Sequence, residues 1–150
     1  MTGIRDRIED ALLLWESDRK DGAFLSALIA VAATAQKRYP NQKDGDRFRQ
    51  FLKDEHTVRI SVEYRGECHP VEHVLYKWLR CNLVHEGGLP PDIEFMTDDQ
   101  PGTMSVRAGG APEYVFKISH GWFHHMIHCV INAKENDGMF PENIGGQHPN

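Results

Sequence analysis

The run Phe24 to Ala35, FLSALIAVAATA, constrains the fold more than any other segment. Read as a helix, its Phe24, Leu25, Leu28, Ile29, Val31 and Ala32 cover most of the circumference and leave no broad polar side. Other elements must therefore surround it, and its small alanines let them approach closely. At about a dozen residues the run is shorter than the roughly 20 that a membrane span needs. A secretory leader is also unexpected. Residues 1–22 set Arg5, Arg7, Arg19 and Lys20 against Asp6, Glu9, Asp10, Glu16, Asp18 and Asp21, an acidic excess where a leader carries a basic one. The segment reads as the buried helix of a bundle.

The flanking sequence supplies its neighbours. Ile4, Ile8, Ala11, Leu12 and Trp15 recur at helical steps after a candidate cap, Thr2. Pro40 stops the central helix, and residues 41–46 form a polar turn that offers Asp44 or Asp46 as N-cap of a short helix over about 47–55. Strict alternation of Val58, Ile60, Val62 and Tyr64 predicts a strand over 57–64. Pro70 suits the first turn of a fourth helix in which Val71, Val74, Leu75, Trp78, Leu79 and Val84 repeat, ending at Gly87-Gly88 and Pro90-Pro91. Short alternating runs at 93–96, 104–107 and 114–119 predict a small antiparallel β insertion over about 92–119. A last helix is expected over about 121–135, then a flexible glycine- and proline-containing tail over about 137–150. The expected fold is mainly α, an antiparallel helical bundle in one domain spanning 1–150. With 40% hydrophobic and 26% charged residues, such a chain can fill one core.

Seventeen Lys and Arg against 22 Asp and Glu give a formal charge of -5, which argues against coating nucleic acid by bulk attraction. Any such contact has to be local, and the basic-rich stretch Lys37-Arg38, Lys43, Arg47 and Arg49 is where it would fall, unless these are only solvated helix ends. Cys68, Cys81 and Cys129 are odd in number and match no zinc ribbon or finger, so a reducing cytoplasmic setting is expected. Cys81 and Cys129 read as small core residues. Trp78 and Trp122 can stack on bases, although their helical spacing among apolar neighbours fits a core or dimer interface better.

The most specific chemistry lies in Arg80-Cys81-Asn82-Leu83-Val84-His85, at the end of the fourth helix. Arginine forks onto phosphate oxygens, and histidine exchanges a proton near neutral pH. Together they suit phosphoryl transfer from an RNA 2′-hydroxyl, with His85 taking its proton and Arg80 steadying charge on the phosphate oxygens, no metal being required. Asn82 would orient the phosphate or the ring. Five steps of an ideal helix nevertheless separate Arg80 from His85 by about 140°. Either the helix loosens just before Gly87, or a second copy supplies the complementary residue across a two-fold axis.

The segment Leu79 to Gly87, LRCNLVHEG, resembles the motif of the HEPN domains (higher eukaryotes and prokaryotes nucleotide-binding). That motif is an arginine, about four to six intervening residues and a histidine near a helix end. The resemblance implies a helical bundle that dimerises so that two motifs face one cleft, with many members acting as metal-independent ribonucleases in toxin–antitoxin or defence systems. It implies Arg80 and His85 as catalytic residues with Asn82 in support, no cofactor, a homodimer acting on RNA, and an antitoxin as a candidate partner. Members often carry a polar residue directly after the arginine; here Cys81 stands there and Asn82 follows.

Two other classes compete. The same cleft can instead serve a non-catalytic module that binds a nucleotide or a protein. With no function at all, Arg80 would pair with an acidic neighbour such as Glu86 and His85 would cap helix carbonyls. His120, His124 and His128 lie one turn apart on the last helix, a spacing that can chelate zinc in a metal-dependent hydrolase. His69 and His73 repeat that spacing. No acidic residue falls inside the His120 to His128 group, and Trp122, Phe123 and Met126 interleave it, as in a packed helix.

Overall fold

The computed structural model describes residues 3–56, 59–96, 106–108 and 116–141, the 106–108 stretch as backbone. The fold is mainly helical. Helix α1 (Gly3–Glu16) buries Ile4, Ile8 and Ala11 against α2 (Lys20–Arg38), which lies at the centre. In α2, Ala23, Phe24, Ala27, Leu28, Ala30, Val31 and Ala35 are all fully buried. Helices α3 (Asp44–Glu55) and α6 (Gly121–Ile131) and the helix over 71–86 pack around it, as the apolar circumference of α2 demands. Its one departure is Ile29, which remains 36% exposed beside Leu25 in a groove between α1 and α2. No helix among the described residues is long and apolar enough to cross a membrane.

Helix α3 starts at Asp44, three residues before the expected boundary. Lys43 takes the cap position and Asp44 and Asp46 fall in the first turn, where carboxylates complement the helix dipole without capping through their side chains. Strand β1 (Ser61–Tyr64) buries Val62 and Tyr64, while residues 57–58 of the expected strand lie outside the described residues. Its partner, β2 (Glu67–Pro70), pairs Tyr64 with Glu67 and Ser61 with Pro70 in an antiparallel hairpin that the sequence reading lacks. Glu-Cys-His-Pro carries no apolar alternation; the hairpin is set by its turn. Arg65 and Gly66 both have positive φ, 53° and 82°, the geometry of a two-residue hairpin turn whose twist matches its strands. Arg65 and Tyr64 then clamp Asp92, with Tyr64 Oη donating to Oδ1 at 2.7 Å and Arg65 Nε to Oδ2 at 2.8 Å. These contacts hold the Asp92 carboxyl down at about 2, chiefly through the Arg65 hydrogen bond.

Pro70 ends β2 and precedes a continuous helical stretch in three parts: α4 (Val71–Val74), a π-helical segment (Leu75–Arg80) and α5 (Cys81–Glu86). In the π segment the Cys81 N–H reaches back five residues to the Tyr76 carbonyl. Such wide turns are rare and recur at functional sites. Gly87 closes α5 in the left-handed region at φ 78°, with nothing within 4 Å of where a Cβ would sit. Space is free there but the backbone is not, so Gly87→Ala is expected to cost about 1 kcal/mol, read as a drop in denaturation midpoint with unchanged slope. No measurable change would show that the end of α5 relaxes at no cost.

The insertion contains β3 (Ile93–Phe95), β4 (Val106–Ala108) and β5 (Phe116–Ile118) in the order β3-β5-β4. It is mixed, and this corrects the antiparallel expectation: β5 runs antiparallel to β4 but parallel to β3. Alternating patterns locate strands without ordering them; the central place falls to β5, whose Phe116 and Ile118 are buried. Helix α6 stops at Ile131, and a 3₁₀ turn (Lys134–Asn136) follows. The tail expected to be flexible from 137 is anchored over its first residues. Met139 and Phe140 pack on the core, and buried Asn136 donates from Nδ2 to Thr34 Oγ1 and to the Val130 carbonyl. Residues 142–150 lie outside the described residues.

Candidate functional site

Arg80 is the last residue of the π segment, where the helix passes the N-terminal turn of α3. Its side chain is 23% exposed, and Nη1 donates to Asp44 Oδ2 at 2.8 Å. Tyr76 Oη donates to the same oxygen at 3.1 Å, and Arg47 Nη2 stands 3.6 Å from Asp44 Oδ1. The guanidinium groups of Arg49 and Arg80 both lie over the Tyr76 ring, 5.3 and 5.5 Å from its centroid. Burial, and then the Asp44 hydrogen bond, raise the Tyr76 phenol above its ordinary value, so it remains a donor. Gly45 makes the close packing feasible: a Cβ there would meet Tyr76 Cε2 and Arg49 Nη2 at 3.1 Å.

Arg49 extends the site towards β2. Its Nη2 donates to Asp46 Oδ1 at 3.0 Å, and its Nη1 lies 3.3 Å from His73 Nδ1. Because a guanidinium only donates, His73 accepts through Nδ1 and carries its proton on Nε2. Burial, followed by the Arg49 charge, lowers the His73 pKa in agreement with that neutral form. His73 also packs with His69 and Trp78, whose indole sits under Lys77 at 4.9 Å. The result is a row of cationic and aromatic side chains running from Arg80 through Tyr76, Arg49 and His73 to Trp78.

The other motif residues lie apart from this row. His85 is exposed on the last turn of α5 and makes no hydrogen bond or ion pair among the described residues. Asn82 is half-buried beside Leu83, which is in the core. From Cys81 to Glu86 the helix is regular, so the 140° separation of Arg80 and His85 stands. The wide turn spans 75–80 and ends on Arg80, the motif's first residue, rather than lying just before Gly87. Arg80 finds its carboxylate in Asp44, 36 residues away, rather than in Glu86.

The basic stretch divides. Arg47 and Arg49 join Arg80, whereas Lys37 reaches Asn136 and Arg38 is held by Glu55 and Glu135 at the far end of α2. His120 and His124 both stand edge-on to Trp15, and among the described residues no three His, Cys, Asp or Glu side chains gather as a metal-holding group. His125 instead stacks on His56 with Nε2 3.0 Å from His56 Nδ1, and it lies 3.5 Å from Cys129 Sγ. Burial pushes the Cys129 thiol up to about 12, so it stays protonated as a core residue. The cysteines are free.

Asp44 and Tyr76 are the site residues that sequence reasoning missed. Tyr76 was within reach as the residue four before Arg80, but nothing in chain order ties Asp44 to that helix. Fold and site together define a mainly helical domain with an arginine–tyrosine–aspartate cluster where the motif helix meets α3. A family model described as Rv1289 matches residues 3–144, and the chain belongs to that family. No curated protein sequence and no solved structure matches it.

Proposed function

We propose that this protein is a HEPN-like endoribonuclease that acts as a homodimer and cleaves RNA by 2′-hydroxyl attack without a metal. The carrying observation is Arg80, half-buried and fixed by Tyr76 and Asp44 beside Arg47 and Arg49, while the exposed His85 stands on another face of the same helix. On a helix the two side chains point about 140° apart, and two chains bring them to one phosphate if Arg80 of one faces His85 of the other. In that arrangement His85 takes the 2′-hydroxyl proton as that oxygen bonds to phosphorus, and the imidazolium so formed returns a proton, directly or through water, to the departing 5′-oxygen. The products are a 2′,3′-cyclic phosphate and a 5′-hydroxyl. Arg80 stabilises charge on the non-bridging oxygens, and the row ending at Trp78 offers cations and ring faces to the neighbouring nucleotides.

Arg80→Ala and His85→Ala are each expected to slow cleavage of single-stranded RNA in chelator by about 100-fold or more. Mixing the two inactive variants should restore about a quarter of wild-type activity, because half of the dimers are mixed and each keeps one intact site. Full activity in both variants overturns the enzyme. Cleavage by the wild type with no recovery on mixing overturns the shared site.

A second reading has its own observation. Arg80 is already engaged by Asp44, as an arginine serving a non-catalytic nucleotide- or protein-binding surface would be. Intact RNA together with nucleotide binding that Arg80→Ala removes would select it.

A further inference from the structure

We infer that the Asp44 carboxylate occupies the seat of an RNA phosphate, so that Arg80, Arg47 and Tyr76 form an anion site closed by the chain's own side chain. The inference rests on the reading of Arg80 as a phosphate-holding residue and adds the ligand's seat and its regulation. Three groups from two elements converge on this carboxylate: Arg80 Nη1 at 2.8 Å, Tyr76 Oη at 3.1 Å and Arg47 Nη2 at 3.6 Å. Two guanidinium groups and a phenol are a donor set suited to a phosphodiester.

The carboxylate does not exhaust that set. Arg80 Nε and Arg47 Nε are both buried without a hydrogen-bond partner. A buried donor left unpaired is costly, and a tetrahedral anion presents oxygens in more directions than a flat carboxylate does. The occupant can also leave. The Asp44 side chain is 38% exposed in the first turn of α3, and ion pairs at such positions are weak enough to exchange. Its departure would release Arg80 Nη1 and Arg47 Nη2, while Arg49 stays paired with Asp46 and beside His73. Gly45 keeps the floor open to the Tyr76 ring.

Asp44 then competes with substrate, and removing its charge strengthens binding. Asp44→Asn is expected to bind inorganic phosphate and an uncleavable 2′-O-methyl RNA oligonucleotide about tenfold more tightly than the wild type, because a like charge has left the seat. Arg80→Ala should lose both ligands. Unchanged or weaker binding by Asp44→Asn overturns the inference. Should that variant fail to fold, the wild type decides alone: the side-chain Nε–H resonances of Arg47 and Arg80 should shift saturably on phosphate titration, and resonances that stay in place overturn it. Tighter binding by Asp44→Asn with no cleavage of unmodified RNA keeps the anion site and removes the nuclease. Cleavage with no gain from Asp44→Asn does the reverse.

Discussion

Phe24→Ala is expected to lower the unfolding free energy by about 4 kcal/mol, within the range for large aromatic truncations in cores. Phe24 is fully buried in the central helix, and its ring meets Phe95 of β3 at 4.5 Å, Phe123 of α6 at 5.7 Å and Trp15 of α1 at 6.1 Å. Trp15 in turn stacks flat on Phe123 at 4.2 Å. One side chain thus joins two of the helices around α2 and the insertion, so a partner that moves to fill the gap gives up contacts of its own. A loss of that size is a large part of the roughly 5–15 kcal/mol available to a domain of this kind. Urea denaturation followed by tryptophan fluorescence measures it; a loss below about 1.5 kcal/mol would mean that the cluster collapses into the space.

The second large effect is acid sensitivity from the His56–His125 pair. The rings stack with centroids 5.1 Å apart, and the 3.0 Å contact between His56 Nδ1 and His125 Nε2 needs one donor and one acceptor, so the two rings cannot both be protonated. Burial, followed by the His56 and His128 charges, depresses His125 to about 4, and burial also lowers His56 against the opposing pull of Glu72. In the unfolded chain an imidazole takes a proton near 6.5. Between about 6.5 and 4 the unfolded state therefore binds more protons, and stability falls as the pH falls. The contribution is fully present above 6.5. At about 1.4 kcal/mol per tenfold difference in proton affinity, His125 alone accounts for about 3 kcal/mol across that window. Comparing the wild type with His125→Leu by urea denaturation from pH 7.5 to 4 isolates this term from the carboxylates that titrate lower. Parallel pH profiles would remove the pair as the cause.

Helices α1, α2 and α6 were legible because each rests on local spacing: Ile4, Ile8 and Ala11 at helical steps, the all-round apolar surface of α2, and Trp122, Phe123, Met126 and Val130 along α6. The hairpin partner β2 was not, since its residues are mostly exposed and carry no pattern. The π segment was hidden for a related reason. Leu75 and Leu79 satisfy an ordinary helical period, and the wider turn between them appears only in the backbone. Trp78, expected at the core or a dimer interface, is half-buried and packs against the core beside Tyr64, His69 and His73.

By itself the sequence determined that a buried helix sits among amphipathic ones, and that Arg80 and His85 lie at the end of another helix. Those facts depend on neighbours within a few turns. Only the tertiary structure decided that Arg80 meets Asp44 and Tyr76, that Arg49 reaches His73, and that His56 pairs with His125. Such contacts join residues 24 to 69 positions apart, and their partners are chosen by how helices pack around α2, a choice that no local periodicity encodes.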